Sequence, residues 1–136
     1  MATLLYRNEF TQDVILGPFA NASVTGDTAI RVLTVPTGRK LRITGAKHYN
    51  PTGLATSATD YFVIEVLKNA TVAASFSTLT GADGTIAAGA DVTLNLSATD
   101  ANLVLDAGDT LSVNLNETGT ATLPAGQTVI FARWVQ

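Results

Sequence analysis

The chain has no cysteine, so no disulfide can staple it, which fits a reducing compartment or a fold whose core is sufficient without staples. Charge is scarce as well, with only 14% of residues charged, although 46% hydrophobic residues keep the sequence well away from a disordered composition. No apolar run approaches the ~20 residues of a membrane helix, and the first ten residues lack a basic stretch followed by a long apolar one, so cytosolic synthesis without a secretory signal is expected. Helical periodicity is missing too. No window of about 11 residues reads as an amphipathic helix, and the Ala-rich stretch 86–91 is interrupted by Gly89 and too short to nucleate alone.

Catalytic side chains are few. His48 is the single histidine, which leaves a Ser-His or Cys-His arrangement with one base and no visible orienting acid. One histidine and no cysteine do not suit a transition-metal site. Glu9, Glu65 and Glu117 could supply a glycosidase pair, but nothing local marks them. The expectation is a protein that is not an enzyme and carries no cofactor or metal. Four Asn-X-Ser/Thr sequons, at Asn21, Asn69, Asn95 and Asn116, are expected by chance in a Thr-rich chain.

What is present is threonine (21) and alanine (20), on 136 residues, enough for one domain that buries roughly 68% of its surface. A surface of Thr, Ser, Asn and Ala costs little to desolvate and suits contact with other protein. The net charge of −3 disfavours nucleic acid as the partner. Residues 1–68 hold seven Lys/Arg against five acids, and residues 69–136 hold one against six, a net +2 and −5. Pairing of strands from the two halves would cancel that dipole.

The apolar period is two. Leu41-Arg-Ile43, Val92-Thr-Leu94-Asn-Leu96 and Leu111-Ser-Val113-Asn-Leu115 alternate as half-buried strands do. Four segments repeat a corner: Val35-Pro-Thr-Gly38, Ile86-Ala-Ala-Gly89, Leu105-Asp-Ala-Gly108 and Leu123-Pro-Ala-Gly126, each with apolar residues three and five after the glycine. Glycine supplies the positive φ of a type II turn, and Pro is expected to preset its first central position. The glycines lie 51, 19 and 18 residues apart, which excludes a solenoid or propeller of fixed period. Asp106 and Asp109 flank one of these glycines; they read as turn formers, with a calcium site shared with Asp100 as the alternative.

Strands are predicted over 3–10, 13–17, 28–35, 39–48, 60–68, 71–78, 91–97, 102–105, 110–116 and 127–135. The fold class is all-β: a single-domain β-sandwich, with a jelly roll as the finer expectation. Residues 1–22 are expected as an extended N-terminal arm and linker, and residues 23–136 as the sandwich. The polar stretch Asn50–Asp60 is expected as an exposed tip, and Thr78–Thr85 as a second loop.

Two strands are apolar on both faces. In 61–67, Phe62, Ile64 and Val66 oppose Tyr61, Val63 and Leu67; in 129–135, Val129, Phe131 and Val135 oppose Ile130 and Trp134. A further layer of the same fold or a subunit interface would cover the second faces. Tyr61, Val63, Leu67, Phe131 and Trp134 are therefore interface candidates, aromatics being favoured at interface centres. Leu4, Leu5 and Phe10 join them, buried either on a neighbouring chain or on the protein's own sheet edge. Arg39, Lys40, Arg42 and Lys47 form the basic cluster, read as a solvated strand face with an acidic protein surface as the alternative.

The segments Leu33-Thr-Val-Pro-Thr-Gly-Arg-Lys-Leu-Arg-Ile43, Val66-Leu-Lys-Asn-Ala-Thr-Val-Ala-Ala-Ser-Phe-Ser-Thr78 and Leu103-Val-Leu-Asp-Ala-Gly-Asp-Thr-Leu-Ser-Val113 resemble the head decoration, or cement, proteins of tailed bacteriophages with a jelly-roll-like fold. The resemblance is one of style across nearly the whole chain. It implies a virion protein on the outer capsid surface, bound to the major capsid protein as a homotrimer that locks the shell, with no nucleic-acid or membrane partner, and with residues 1–10 able to serve as a reaching arm. The alternative is a fibre-head or carbohydrate-binding β-sandwich with Tyr49, Tyr61 or Trp134 stacking on sugar. A cupin-like enzyme is a third reading that the lone histidine disfavours.

Overall fold

The computed structural model describes residues 12–135; the strand expected over 3–10, with Leu4, Leu5 and Phe10, lies outside them. Among the described residues are ten strands, β1 (Gln12–Asn21), β2 (Thr28–Thr34), β3 (Lys40–Asn50), β4 (Tyr61–Lys68), β5 (Thr71–Ser77), β6 (Ala90–Thr93), β7 (Asn95–Leu96), β8 (Val104–Leu105), β9 (Thr110–Thr118) and β10 (Gly126–Val135), and a 3-10 turn over Asp100–Asn102. They form two antiparallel five-stranded sheets. The first runs β1-β10-β3-β6 with β8 also beside β3; the second runs β2-β9-β4-β5-β7. The protein is a single-domain β-sandwich, as the period-two pattern predicts.

The core lies between the sheets. Leu41, Ile43, Ala46, Ile130 and Ala132 project from the first, and Phe62, Ile64, Val66, Phe76, Leu111, Val113 and Leu115 from the second, all buried. Each fully buried aliphatic or aromatic side chain contributes about 1.5–3 kcal/mol, so this set supplies most of the driving force. Among the described residues no helix is long and apolar enough to cross a membrane.

Three expectations change. The strand expected over 13–17 runs on through Asn21 as β1, where a Gly-Pro-broken linker was expected, and pairs with β10 from Gln12↔Trp134 to Asn21↔Gly126 with an irregularity between Leu16 and Phe19. Gly17-Pro18 sits at that irregularity, where a missing N–H does least harm, and pairing resumes at Phe19. The strand expected over 91–97 divides: β6 joins β3 in the first sheet and β7 joins β5 in the second, and the chain crosses between sheets at Leu94. The Leu94 side chain fills the core at the crossing, and its N–H donates to the Ala46 carbonyl at 2.9 Å. The Asn50–Asp60 segment is stitched down instead of free. Leu54 and Ile86 exchange backbone hydrogen bonds at 2.9 Å, and Ser57 N–H donates to the Thr78 carbonyl at 3.1 Å, so the two expected loops brace one another.

The repeated corner holds at three of its four places. Gly38, Gly89 and Gly108 have φ of +78°, +74° and +91°, and the N–H after each glycine donates back to the residue two before it, at 3.2, 3.2 and 3.0 Å. That hydrogen bond makes Pro36 the first residue of its turn and Thr37 the first central one, so the proline ring does not preset the central pair. Gly126 differs in kind. It already belongs to β10 and is not among the positive-φ glycines; a Cβ there would meet the Tyr49 carbonyl oxygen at 2.5 Å. The fourth glycine is required by close packing between β10 and β3.

Candidate functional site

A register shift in β3 decides what the outer face of the first sheet presents. Phe131 pairs with Gly45 and Ala132 with Ile43, which leaves Thr44 as the extra residue of a bulge. Leu41 and Ile43 face the core before it; Ala46, His48 and Asn50 face the core after it. Without the bulge, unbroken alternation would send Lys47 and Tyr49 inward. With it, both stand on the outer face.

His48 is therefore a core residue. It is fully buried, its Nδ1 lies 3.0 Å from Thr128 Oγ1, and its Nε2 has no partner among the described residues. Burial pushes its pKa down to about 4 against a weaker opposing pull from Asp91, so the ring is neutral at pH 7. Nearby, Asn21 and Asn50 both donate side-chain N–H to the Pro124 carbonyl, at 3.3 and 2.8 Å, while Asn50 Oδ1 accepts from the N–H groups of Thr52 and Gly53. This polar row fastens the segment before β10 and the turn after β3 to one end of the sheet. It is a structural fastening inside the sandwich.

The outer face is built in rows across the strands. Gln127, Tyr49 and Asp91 form one row on β10, β3 and β6; Val129, Lys47 and Thr93 form the next; Ile15, Phe131 and Gly45 form a third with β1. Gly45 has no side chain to cover its neighbour, and the Phe131 ring lies beside it, with a Cδ carbon 3.5 Å from where a Cβ would stand. Lys47, Tyr49, Asp91, Gln127, Val129 and Phe131 line a hollow of about 320 Å³. On the other side of Phe131 a second hollow of about 440 Å³ reaches Ile15, Thr44 and Arg133.

The sequence-predicted candidates do not converge. Phe131 stands half-buried in this outer face. Trp134 points to the other side of β10, half-buried and packed against the core, with the Arg39 guanidinium 5.3 Å from its ring centre. Tyr61 and Val63 are half-buried on the outer face of the second sheet beside Glu65, which accepts a hydrogen bond from Asn116; Leu67 is buried. Asp91 and Gln127 went unremarked in the sequence, since only strand register brings them beside Tyr49. Val129 carried a signal, as one of the second apolar set of its strand.

The acidic corner is occupied by the chain itself. Asp109 accepts from Asn69 Nδ2 at 3.0 Å and from the Asp106 N–H at 2.9 Å, with Lys68 at 3.7 Å, and these contacts hold its pKa below the usual carboxylate range. Asp106 pairs with Lys40 at 3.2 Å, and Asp100 pairs with Arg42. Cations from the first half of the sequence thus meet acids from the second, and Arg133 meets Asp13 at 2.7 Å, so the dipole between halves cancels.

No family model, curated protein or solved structure matches this chain.

Proposed function

We propose that the chain is a non-enzymatic structural protein of a phage virion, bound to the major capsid protein at the outer surface of the head and acting as a homotrimer by buried area and shape. The observation that carries this reading is Ile15. It lies 67% exposed on β1, the outermost strand of the first sheet among the described residues. An edge strand with an exposed apolar side chain is a ready template for pairing with another chain. The strand order supports the finer fold: the sheets β1-β10-β3-β6 and β2-β9-β4-β5 interleave early and late strands as the two sheets of a jelly roll do. Fold alone does not carry function, so the surface must. That surface is rich in uncharged hydroxyl side chains, which are inexpensive to desolvate against protein.

The test is sedimentation of purified protein with expanded phage heads, alongside light-scattering mass with and without a chelator. The expected result is protein in the particle fraction at a fixed ratio to capsid subunits, a trimeric mass indifferent to chelator, and loss of particle binding in Ile15→Asp with an unchanged thermal midpoint. Protein that stays in the supernatant at micromolar concentration overturns the reading. A mass that collapses with chelator overturns the metal-free part of it.

A further inference from the structure

We propose that the hollow between Tyr49 and Phe131 on the outer face of the first sheet is a binding site for a neutral saccharide. The inference stands on the hollow alone and does not depend on the capsid reading.

Size and lining agree. About 320 Å³ is at the lower end of small-ligand sites, which combine an apolar floor with a few fixed polar groups. Val129, Phe131 and the Tyr49 ring give the hollow its apolar lining; Lys47, Asp91, Gln127 and the Tyr49 hydroxyl give it polar groups. A pyranose has the matching division, with C–H groups on its ring face to lie against an aromatic and hydroxyls around its edge.

The polar groups are free to bind. Elsewhere on this sheet the cations are paired, Lys40 with Asp106, Arg42 with Asp100 and Arg133 with Asp13. Among the described residues, the side-chain polar atoms of Lys47, Tyr49, Asp91 and Gln127 make no intrachain hydrogen bond or ion pair. One ammonium and one carboxylate leave the hollow without net charge, which disfavours phosphate and polycations alike. The set donates through Lys47, accepts through Asp91 and does both through Gln127 and Tyr49, which fits hydroxyls, themselves both donors and acceptors.

Position is held by the sheet. Gln127 and Asp91 flank Tyr49 in one cross-strand row, about 10 Å apart at two strand spacings, room for one ring with a hydroxyl toward each. Groups mounted on strands are placed more firmly than groups on loops. Phe131 rests beside Gly45 on the neighbouring strand, a Cδ carbon 3.5 Å from where a Cβ would stand, and is half-buried at the end of the hollow.

The test is an NMR titration of the isotope-labelled protein with neutral trisaccharides (maltotriose, cellotriose, mannotriose and chitotriose), with inorganic phosphate as the charged control. At least one saccharide should give saturable amide shifts at 47, 49, 91, 127 and 131 with a Kd of about 1 mM or tighter. Tyr49→Ala should weaken that binding by about tenfold or more, Tyr49→Phe should keep most of it, and both should retain the wild-type thermal midpoint. Absence of saturable shifts up to about 10 mM of every saccharide overturns the proposal. So does saturation by phosphate instead, or shifts that accompany a doubled mass, which would make this face a contact between copies.

Discussion

At the scale of single residues, His48 shows how burial is converted into a pH dependence. The folded state holds the imidazole neutral with a pKa of about 4, whereas the unfolded chain binds a proton near 6.5. The unfolded state therefore takes up the proton first as pH falls. The stabilisation is whole above pH 6.5 and is lost progressively down to about pH 4, by about 3 kcal/mol in all. Urea midpoints at pH 7 and pH 4.5 should show that fall in the wild type and lose it in His48→Gln. Asn69 is a second case. It takes φ of +53° at the β4–β5 turn, donates to Asp109 and accepts from the Thr110 N–H at 2.9 Å. Asn69→Ala should cost about 1–2 kcal/mol by denaturant unfolding, and Asn69→Gly less, because glycine keeps the backbone conformation while losing the hydrogen bonds. Neither role was legible in the sequence. His48 follows an odd-numbered inward run, and its burial depends on the bulge; Asn69 looked like one sequon among four.

At the scale of elements, the Thr44 bulge matters most, because a one-residue change of register moves every later side chain of a strand to the opposite face. Deleting Thr44 and Gly45 together should turn Lys47 inward and His48 outward, bury an ammonium without a partner and cost more than about 4 kcal/mol or prevent folding, whereas deleting Thr44 alone restores plain alternation and keeps both facings. Thr44→Ser, at an exposed position, should stay within about 0.5 kcal/mol. Chemical denaturation followed by far-UV circular dichroism separates the two. Strands with one buried face, β9 above all, were readable from alternation, because the core selects one side of each; β4, apolar on both faces, was not. The crossing at Leu94 was not, since alternation looks the same whether 92 and 96 share one sheet or belong to two.

At the scale of the whole molecule, β1 pairs with β10, so a sheet closes only when the two ends of the described chain meet. Loop-closure entropy comes before such contacts stabilise anything, and folding should take milliseconds to seconds. Stopped-flow fluorescence of Trp134, the single tryptophan, would follow it, and a microsecond phase carrying the full amplitude would contradict the expectation. Stability should also be nearly indifferent to salt. Three of the four ion pairs of the described residues lie exposed and Lys68–Asp109 is partly buried at 3.7 Å, so raising salt to about 0.5 M should move the unfolding free energy by no more than about 1 kcal/mol.

From its sequence alone this chain is all-β, a single sandwich with glycine corners and an apolar core, because alternation and turn chemistry are local and each strand carries its own record of which side is buried. The resemblance to phage decoration proteins also comes from the sequence and rests on style. Which strands become neighbours, where the register slips and which polar groups end up side by side were decided only by tertiary structure. Asp91, Tyr49 and Gln127 lie 42 and 78 residues apart along the chain, and only the pairing of β6, β3 and β10 places them in one row. Pairing is a competition among all strands at once, settled by the core they close together, and no single segment records its outcome.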